Sequence, residues 1–308
     1  MPDIHPAYCE SFRCIASACR LNCCIGWEID IDEKSAARYA ALPGAFGETV
    51  RAAIAPGEPP HFRLDSTGRC VLLGGDDLCE IQRALGESAL CAICRDHPRF
   101  RVFLPGRIES GLGLCCEEAA RLLLSETEKI SLRGSVSAAP PRHTVELLLF
   151  RQRLLDAAQD RTRSLGARMR KILALAGAVL PRRTMSDWAA FFSALEPLEP
   201  AFPETLSRLC GKVDLSHFHA VSAAWETEYE QLLVYFLLRH LLADEGRETA
   251  ARAAFAVLST AMLYAIGAAI RAQSGSLSLA DRVELARLWS ANIEYSEENL
   301  RAVFNELT

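Results

Sequence analysis

Eleven of the twelve cysteines in this 308-residue chain lie within its first 116 residues, and two pairs are adjacent, Cys23–Cys24 and Cys115–Cys116. The rest of the chain holds only Cys210. A stretch so dense in thiols folds around a metal, a disulfide framework or a redox device. The opening Met1-Pro2-Asp3-Ile4-His5 has no basic start, apolar run or small-residue cleavage site, so nothing directs it to an oxidising compartment. A chain of this length can bury a full core without covalent staples. A reducing, cytoplasmic setting is the expectation, and it favours metal-bound thiolates over disulfides.

The spacings sharpen that expectation. The first group is Cys14-x4-Cys19-x3-Cys23-Cys24; Cys70-x8-Cys79 and Cys91-x2-Cys94 follow, then Cys115-Cys116. A Cys-x2-Cys turn aims two thiolates at one ion but is common and weakly specific. Ten cysteines in these groups exceed the four that one zinc or one [4Fe–4S] cluster takes. Either two centres exist or some cysteines are spare. For any one of them, and above all for Cys210, Cys9 and Cys115, the bland reading is a small buried apolar side chain.

The string Phe12-Arg13-Cys14-x4-Cys19-Arg20-x2-Cys23-Cys24-x-Gly26-Trp27-x-Ile29-x-Ile31-Asp32 resembles the opening of the flagellin lysine-N-methylase family, related to the zinc- or iron-chelating cysteine-cluster proteins. Further matches are Gly68-Arg69-Cys70-x-Leu72-Leu73, Leu78-Cys79-x-Ile81-Gln82 and Leu85-Gly86-Glu87. Leu90-Cys91-x2-Cys94-Arg95-x-His97-Pro98-Arg99 and Leu114-Cys115-Cys116-Glu117-Glu118 come next, and Ile293-Glu294-Tyr295-Ser296-x2-Asn299 resembles the family's tail. In the Cys115–Cys116 motif the family usually has Leu-Ser-Cys-Pro-Glu; Cys116 takes its cysteine position, and Cys115 is read as an extra. The resemblance is strong over the first ~125 residues and weak beyond. It implies an iron–sulfur protein that methylates lysines of flagellin with S-adenosylmethionine as donor. It also implies cluster thiolates from Cys14, Cys19, Cys23, Cys24, Cys70, Cys79, Cys91, Cys94 and Cys116.

The residues themselves give mixed support. A Gly-rich turn after a first parallel strand, the usual donor site of a methyltransferase, is not found. Leu73-Gly74-Gly75-Asp76-Asp77 is Gly-rich but lies between two cysteines and reads as a turn. The Cys-x3-Cys-x2-Cys run of radical enzymes is broken by Gly26. Trp27 reads first as core, with stacking on an adenine as the alternative. Arg95 and Arg99 can hydrogen-bond sulfur or bind a carboxylate. These three are the candidate cofactor contacts. His97 reads as structural or as a group behind the ligands, and His217 and His219 as capping or surface residues. No catalytic base is named.

Half the residues are hydrophobic and the formal net charge is −5, which argues against non-specific nucleic-acid binding. No repeat or low-complexity tract is visible. Residues 1–135 read as a cysteine-rich iron–sulfur domain. Trp27–Asp32 alternates like a half-buried strand, Phe100–Leu112 reads as a hairpin about Pro105-Gly106, and Leu78–Leu85, Ser88–Cys94 and Glu117–Leu124 as short helices. Residues 136–308 read as a helical domain, with segments near 144–159, 164–180, 186–195, 217–244, 248–272, 278–291 and 297–306. Pro181 is read as a stop, and Ser186, Ser278 and Ser296 as N-caps. Ala253–Ile270 is uncharged but Ala-rich, and a buried bundle helix is preferred to a membrane span. Nine Lys/Arg between Arg151 and Arg183 face only Asp156 and Asp160, as a solvated face or a docking surface for an acidic protein.

The expected fold is mainly α, a cysteine-rich metal-binding domain with short strands packed on an all-helical domain. The expected function is S-adenosylmethionine-dependent methylation of lysine on flagellin or a similar protein, by a chain carrying an iron–sulfur cluster. The alternative is a non-enzymatic metal-binding module for metal handling, electron transfer or a partner complex.

Overall fold

The structure, a computed structural model, describes residues 3–136, 139–209 and 223–308. The expectations for Cys210, His217 and His219 lie outside the described residues. The elements run β1 (Ile4–Pro6), α1 (Glu33–Ala40), α2 (Gly44–Ala52), β2 (Ile54–Ala55), β3 (His61–Phe62), α3 (Glu80–Leu85), α4 (Ala92–Asp96), β4 (Arg99–Leu104), β5 (Arg107–Leu112), α5 (Glu117–Ser125) and β6 (Leu132–Gly134). Helices follow: α6 (Arg142–Ala158), α7 (Leu165–Ala176), α8 (Met185–Ser193), α9 (Ala201–Ser207), α10 (Ala223–His240), α11 (Thr249–Ser274), α12 (Leu279–Trp289) and α13 (Glu297–Leu307). The mainly helical expectation holds.

The chain forms two compact units, Arg13–Arg99 and Met1–Phe12 together with Phe100–Thr308. The compositional boundary near residue 135 is a different division: the hairpin and the Cys115–Cys116 segment belong to the larger unit.

In the larger unit a four-stranded sheet has the order β4-β5-β1-β6, with β1 parallel to β5 and antiparallel to β6. The hairpin of β4 and β5 turns at Pro105-Gly106, where Gly106 takes a positive φ of 73°. The core is helical and centred on α10 and α11, whose Leu233, Phe236, Leu237, Phe255, Leu258 and Met262 are fully buried. Of the apolar window that makes α11 long and apolar enough for a membrane, 83% is buried inside the fold. It is a bundle core helix, as its small residues imply.

Local chemistry explains the helix ends. Thr184 and Asp187 form the capping box of α8, and Ser278 and Asp281 that of α12; Ser296 caps α13. Thr184 replaces the expected Ser186 because its hydroxyl and the Asp187 carboxylate satisfy each other's backbone N–H groups. Helix α7 ends at Gly177, which takes the left-handed conformation, before Pro181 is reached. Helices α1, α2 and α9 escape the sequence reading because each is only seven to nine residues long.

The basic stretch is not a uniform exposed face. Arg151 is buried and forks onto Glu109 at 2.6 and 2.8 Å. Arg168 is buried on Glu230 at 2.6 Å, with Arg161 also on Glu230. Arg163 pairs with Asp160 and Arg183 with Glu306. The partners of Arg151, Arg161, Arg168 and Arg183 come from distant sequence, so a local charge count could not see them.

The small unit has its own core, including Ile29, Ile31, Tyr39, Val50, Phe62, Leu72 and Ile81. Beside the ribbon of β2 and β3 its backbone is joined by single bridges, Ile25 to Arg69 and Asp30 to His61. The expected strand over Trp27–Asp32 is thus reduced to isolated pairings. The alternation was real for Ile29 and Ile31, which are buried, but Trp27 is 38% exposed.

Candidate metal centre

Turns, rather than a sheet, bring the thiols of the small unit together. The Cys70 N–H donates to the Cys24 carbonyl at 2.8 Å, and the Leu73 N–H closes a turn onto the Cys70 carbonyl at 2.9 Å. Leu73 in turn bridges Cys79. Cys79 immediately precedes α3 and Cys91 immediately precedes α4. Asp32 caps α1 through the Ser35 N–H and also accepts the Ala92 N–H at 2.8 Å, which pins the start of α4 beside Cys91.

Two hydrogen-bonded thiol pairs result, Cys23 with Cys24 and Cys91 with Cys94. In each pair the bond from the partner brings one thiol down to about 7. The partners, Cys24 and Cys94, are driven far up by the same bond, by burial and by neighbouring thiols. Those neighbours tie the set together: Cys79 and Cys70 act on Cys24, and Cys24 and Cys79 act on Cys94. Burial raises Cys70 and Cys79, and Cys91 adds to both. Burial also raises Cys14, with Cys23 adding to it. Cys19 donates to its own Leu21 carbonyl at 2.9 Å.

This donor set suits a thiophilic metal. Seven thiols share one small unit, Cys70 and Cys91 buried, Cys24, Cys79 and Cys94 half-buried, and Cys14 and Cys23 exposed, and neighbouring thiols oppose the ionisation of Cys14, Cys24, Cys70, Cys79 and Cys94. A cation is what relieves such mutual repulsion, since thiolate ligands must be deprotonated. Among the described residues, no three Cys, His, Asp or Glu side chains converge on one point that would hold a single ion.

The other expected residues are placed as follows. Cys116 stands at the N-terminus of α5 in the larger unit and packs on its core, as does Cys9. The Trp27 indole N–H donates to the Cys23 carbonyl at 2.7 Å, and its ring centre lies 6.2 Å from that of His97. Burial pushes His97 down to about 4, so it is neutral at neutral pH. Arg95 and Arg99 are exposed.

A second constellation lies in the larger unit and was not foreseen. Between α12 and α13 the residues Ser290–Glu294 form a π-turn, a widened turn often found at functional sites. It turns Glu294 fully inward, where the carboxylate accepts from the Tyr235 hydroxyl at 3.0 Å and meets His240 Nε2 at 2.6 Å and Arg239 Nε at 3.3 Å. The Arg239 guanidinium also lies over the rings of Phe100 and Tyr295, at 4.9 and 4.8 Å from their centres. The readable signal was Tyr235-x3-Arg239-His240, a polar set on the apolar second half of α10; the stripe of leucines around it drew the reading to packing alone.

Burial pushes Glu294 up, but Arg239 and His240 overcome it and hold it below its ordinary 4.5. Burial keeps His240 below its ordinary 6.5, against the pull of the Glu294 hydrogen bond. Both groups bind protons less readily in the fold than in the unfolded chain, so their contribution is complete above about 6.5 and is lost on acidification. The expected result is a melting temperature that falls as pH drops below about 6.5 and falls further below about 4.5. In His240→Asn the upper part of that slope should shrink, leaving the share that comes from His97, which burial also holds below 6.5. A melting temperature flat from about pH 7 to about pH 4 would contradict this.

A hollow lined by Leu124, Glu228, Tyr229, Leu232, Leu263, Arg282, Leu285 and Ala286 has a cavity volume of only about 10 Å³. That is below the roughly 300–1,000 Å³ of small-molecule sites, and its two charged residues, Glu228 and Arg282, are paired with each other. It does not fit S-adenosylmethionine.

Residues 210–308 match the family model described as the FliB lysine N-methylase C-terminal domain. The chain is 28% identical over 158 residues to proteins named lysine-N-methylase from Salmonella typhimurium and Salmonella choleraesuis, a match covering 49% of this chain and 39% of each relative. It is 29% identical over 147 residues to the flagellar biosynthetic protein FliU of Salmonella muenchen, covering 46% of this chain and 86% of that one. The chain thus spans about two fifths of the length of the first two relatives. No solved structure matches it.

Proposed function

With the resemblance to the flagellin lysine-N-methylase family borne out by these matches, we propose that the chain carries out methylation of lysine side chains on flagellin or a similar surface protein. We place this activity in the cytoplasm, with S-adenosylmethionine as donor and an iron–sulfur cluster in the small unit. The names of the relatives support the methyl transfer. The single observation supporting the metal is the gathering of seven thiols in one small unit. The choice of a cluster over a lone ion rests on the family resemblance; among the described residues no three candidate side chains converge on one point.

A [4Fe–4S] cluster takes four thiolates, which would be drawn from Cys14, Cys23, Cys24, Cys70, Cys79, Cys91 and Cys94 of the small unit, with Cys19 as a further candidate by resemblance. When bound, the donor supplies a methyl group activated on sulfonium. The chain's own task is to present a neutral amine in line with that methyl group. Enclosure lowers a lysine's affinity for its proton, and positioning supplies much of the acceleration. Trp27, Arg95 and Arg99, all exposed residues, are the ones to test as donor contacts.

The test is anaerobic purification followed by incubation with methyl-labelled S-adenosylmethionine and flagellin. A brown protein containing iron and sulfide, whose broad visible absorption dithionite bleaches, should label flagellin lysines. A colourless protein with stoichiometric zinc and no sulfide would overturn the cluster. Iron and sulfide without label transfer would leave the metal-binding module as the reading.

A further inference from the structure

Three cations of the basic stretch stay on the surface once its paired arginines are set aside. Helices α6 and α7 pack side by side as a hairpin, joined where Arg168 Nη1 donates to the Ala158 carbonyl at 3.1 Å. Arg153 on α6 and Arg170 and Lys171 on α7 are exposed. Among the described residues none of the three has a carboxylate partner. Arg153 lies over the ring of its neighbour Phe150, 5.5 Å from the centre.

The outer face of α6 is also apolar. Val145, Leu149 and Arg153 follow one another at four-residue steps and so form one stripe. Leu149 is 62% exposed and Val145 39%, while Leu154 and Leu155 on the opposite side are buried. The polar residues along the stripe already have partners: Arg142 meets Glu146 and Gln152 meets Asp156, each at 2.8 Å. What the hairpin leaves unmatched is two aliphatic side chains and three positive charges.

We propose that the outer face of the α6–α7 hairpin docks an acidic segment of a protein partner. Apolar side chains of that segment would cover Val145 and Leu149, and its carboxylates would meet Arg153, Arg170 and Lys171. Complementary charge of this kind steers encounter and fixes register. Anionic bilayers are read by about 4–8 clustered cations, and nucleic acid by about 6–10 phosphate contacts. Three cations beside two aliphatic side chains, on a chain of net charge −5, match a short protein segment instead. The docking face depends neither on the methyl-transfer reading nor on a metal.

The probe is a fluorescein-labelled amphipathic helical peptide with leucines on one face and glutamates flanking them, followed by anisotropy with the full chain. Wild-type protein should bind it at least about tenfold more tightly than the same peptide with lysine in place of glutamate. Arg153→Glu/Arg170→Glu/Lys171→Glu should weaken binding about tenfold, and Leu149→Gln by a similar factor. Raised salt should weaken the wild type and leave the triple variant nearly unchanged, because exposed charges are screened over ~8 Å at physiological ionic strength. Lys129→Glu/Arg301→Glu, which reverses exposed cations elsewhere in the larger unit, should bind like wild type. All these side chains are exposed, so melting temperatures should stay together. Wild-type protein that ignores the glutamate peptide, a triple variant of wild-type affinity, or equal weakening in the Lys129/Arg301 control would overturn the proposal. Binding to phosphatidylserine vesicles in place of the peptide, lost in the triple variant, would give the face to a membrane. A dimer seen by sedimentation that the triple variant dissolves would give it to a second copy of the chain.

Discussion

Replacing Glu230 with alanine is expected to destabilise the larger unit by about 3–5 kcal/mol, the range for breaking a buried ion pair from one side. Glu230 is fully buried, and its carboxylate accepts Arg168 Nη1 at 2.6 Å and Arg161 Nη2 at 2.9 Å. Arg168 is only 2% exposed and also donates to the Ala158 carbonyl. Removing the carboxylate strands a buried guanidinium between α7 and α10. Arg168→Glu should be worse, because it sets two carboxylates against each other in the core. Urea unfolding followed by circular dichroism measures both. A midpoint shift worth less than about 1 kcal/mol for Glu230→Ala would mean that Arg168 finds water or another partner. The double replacement Arg168→Met/Glu230→Leu should recover most of the loss, since an apolar pair of similar volume leaves no charge buried.

Cys23→Ser and Cys94→Ser are each expected to abolish iron retention, whereas Cys210→Ser should leave it unchanged. Cys23 and Cys94 each belong to one of the two hydrogen-bonded pairs. A hydroxyl in either place removes a soft ligand and leaves its partner thiol alone. Metal loading should also rise with pH. The first thiol of each pair titrates near about 7, and metal binding must displace the remaining protons. Iron and sulfide analysis of protein reconstituted at several pH values reads both effects. Full iron in Cys94→Ser would remove that residue from the ligand set, and loading that does not change with pH would mean that proton release is not the barrier.

The cysteine spacing, the helical periodicity and the turn residues were legible because each is a short-range property. The hairpin about Pro105-Gly106, the N-caps at Ser278 and Ser296, and the buried character of Ala253–Ile270 all follow from residues within a few positions of one another. The same local logic failed where partners are distant. Arg151 and Arg168 looked like part of a solvated basic run, yet Glu109 and Glu230, 42 and 62 residues away, take them into the core. Trp27 alternated with Ile29 and Ile31 but does not share their burial, because single bridges rather than a ladder hold that backbone.

The sequence by itself determined that the chain is mainly helical, that its thiols are concentrated for a purpose, and which family it resembles. Those properties depend on residue type and spacing. The tertiary structure alone decided which thiols are paired, that Cys115 meets Tyr295, and that Tyr235, Arg239, His240 and Glu294 form one buried network. Hydrogen bonding and burial act at a few ångströms in space, and the chain separates those residues by up to 180 positions. A pattern of spacing carries no record of a contact that only folding creates.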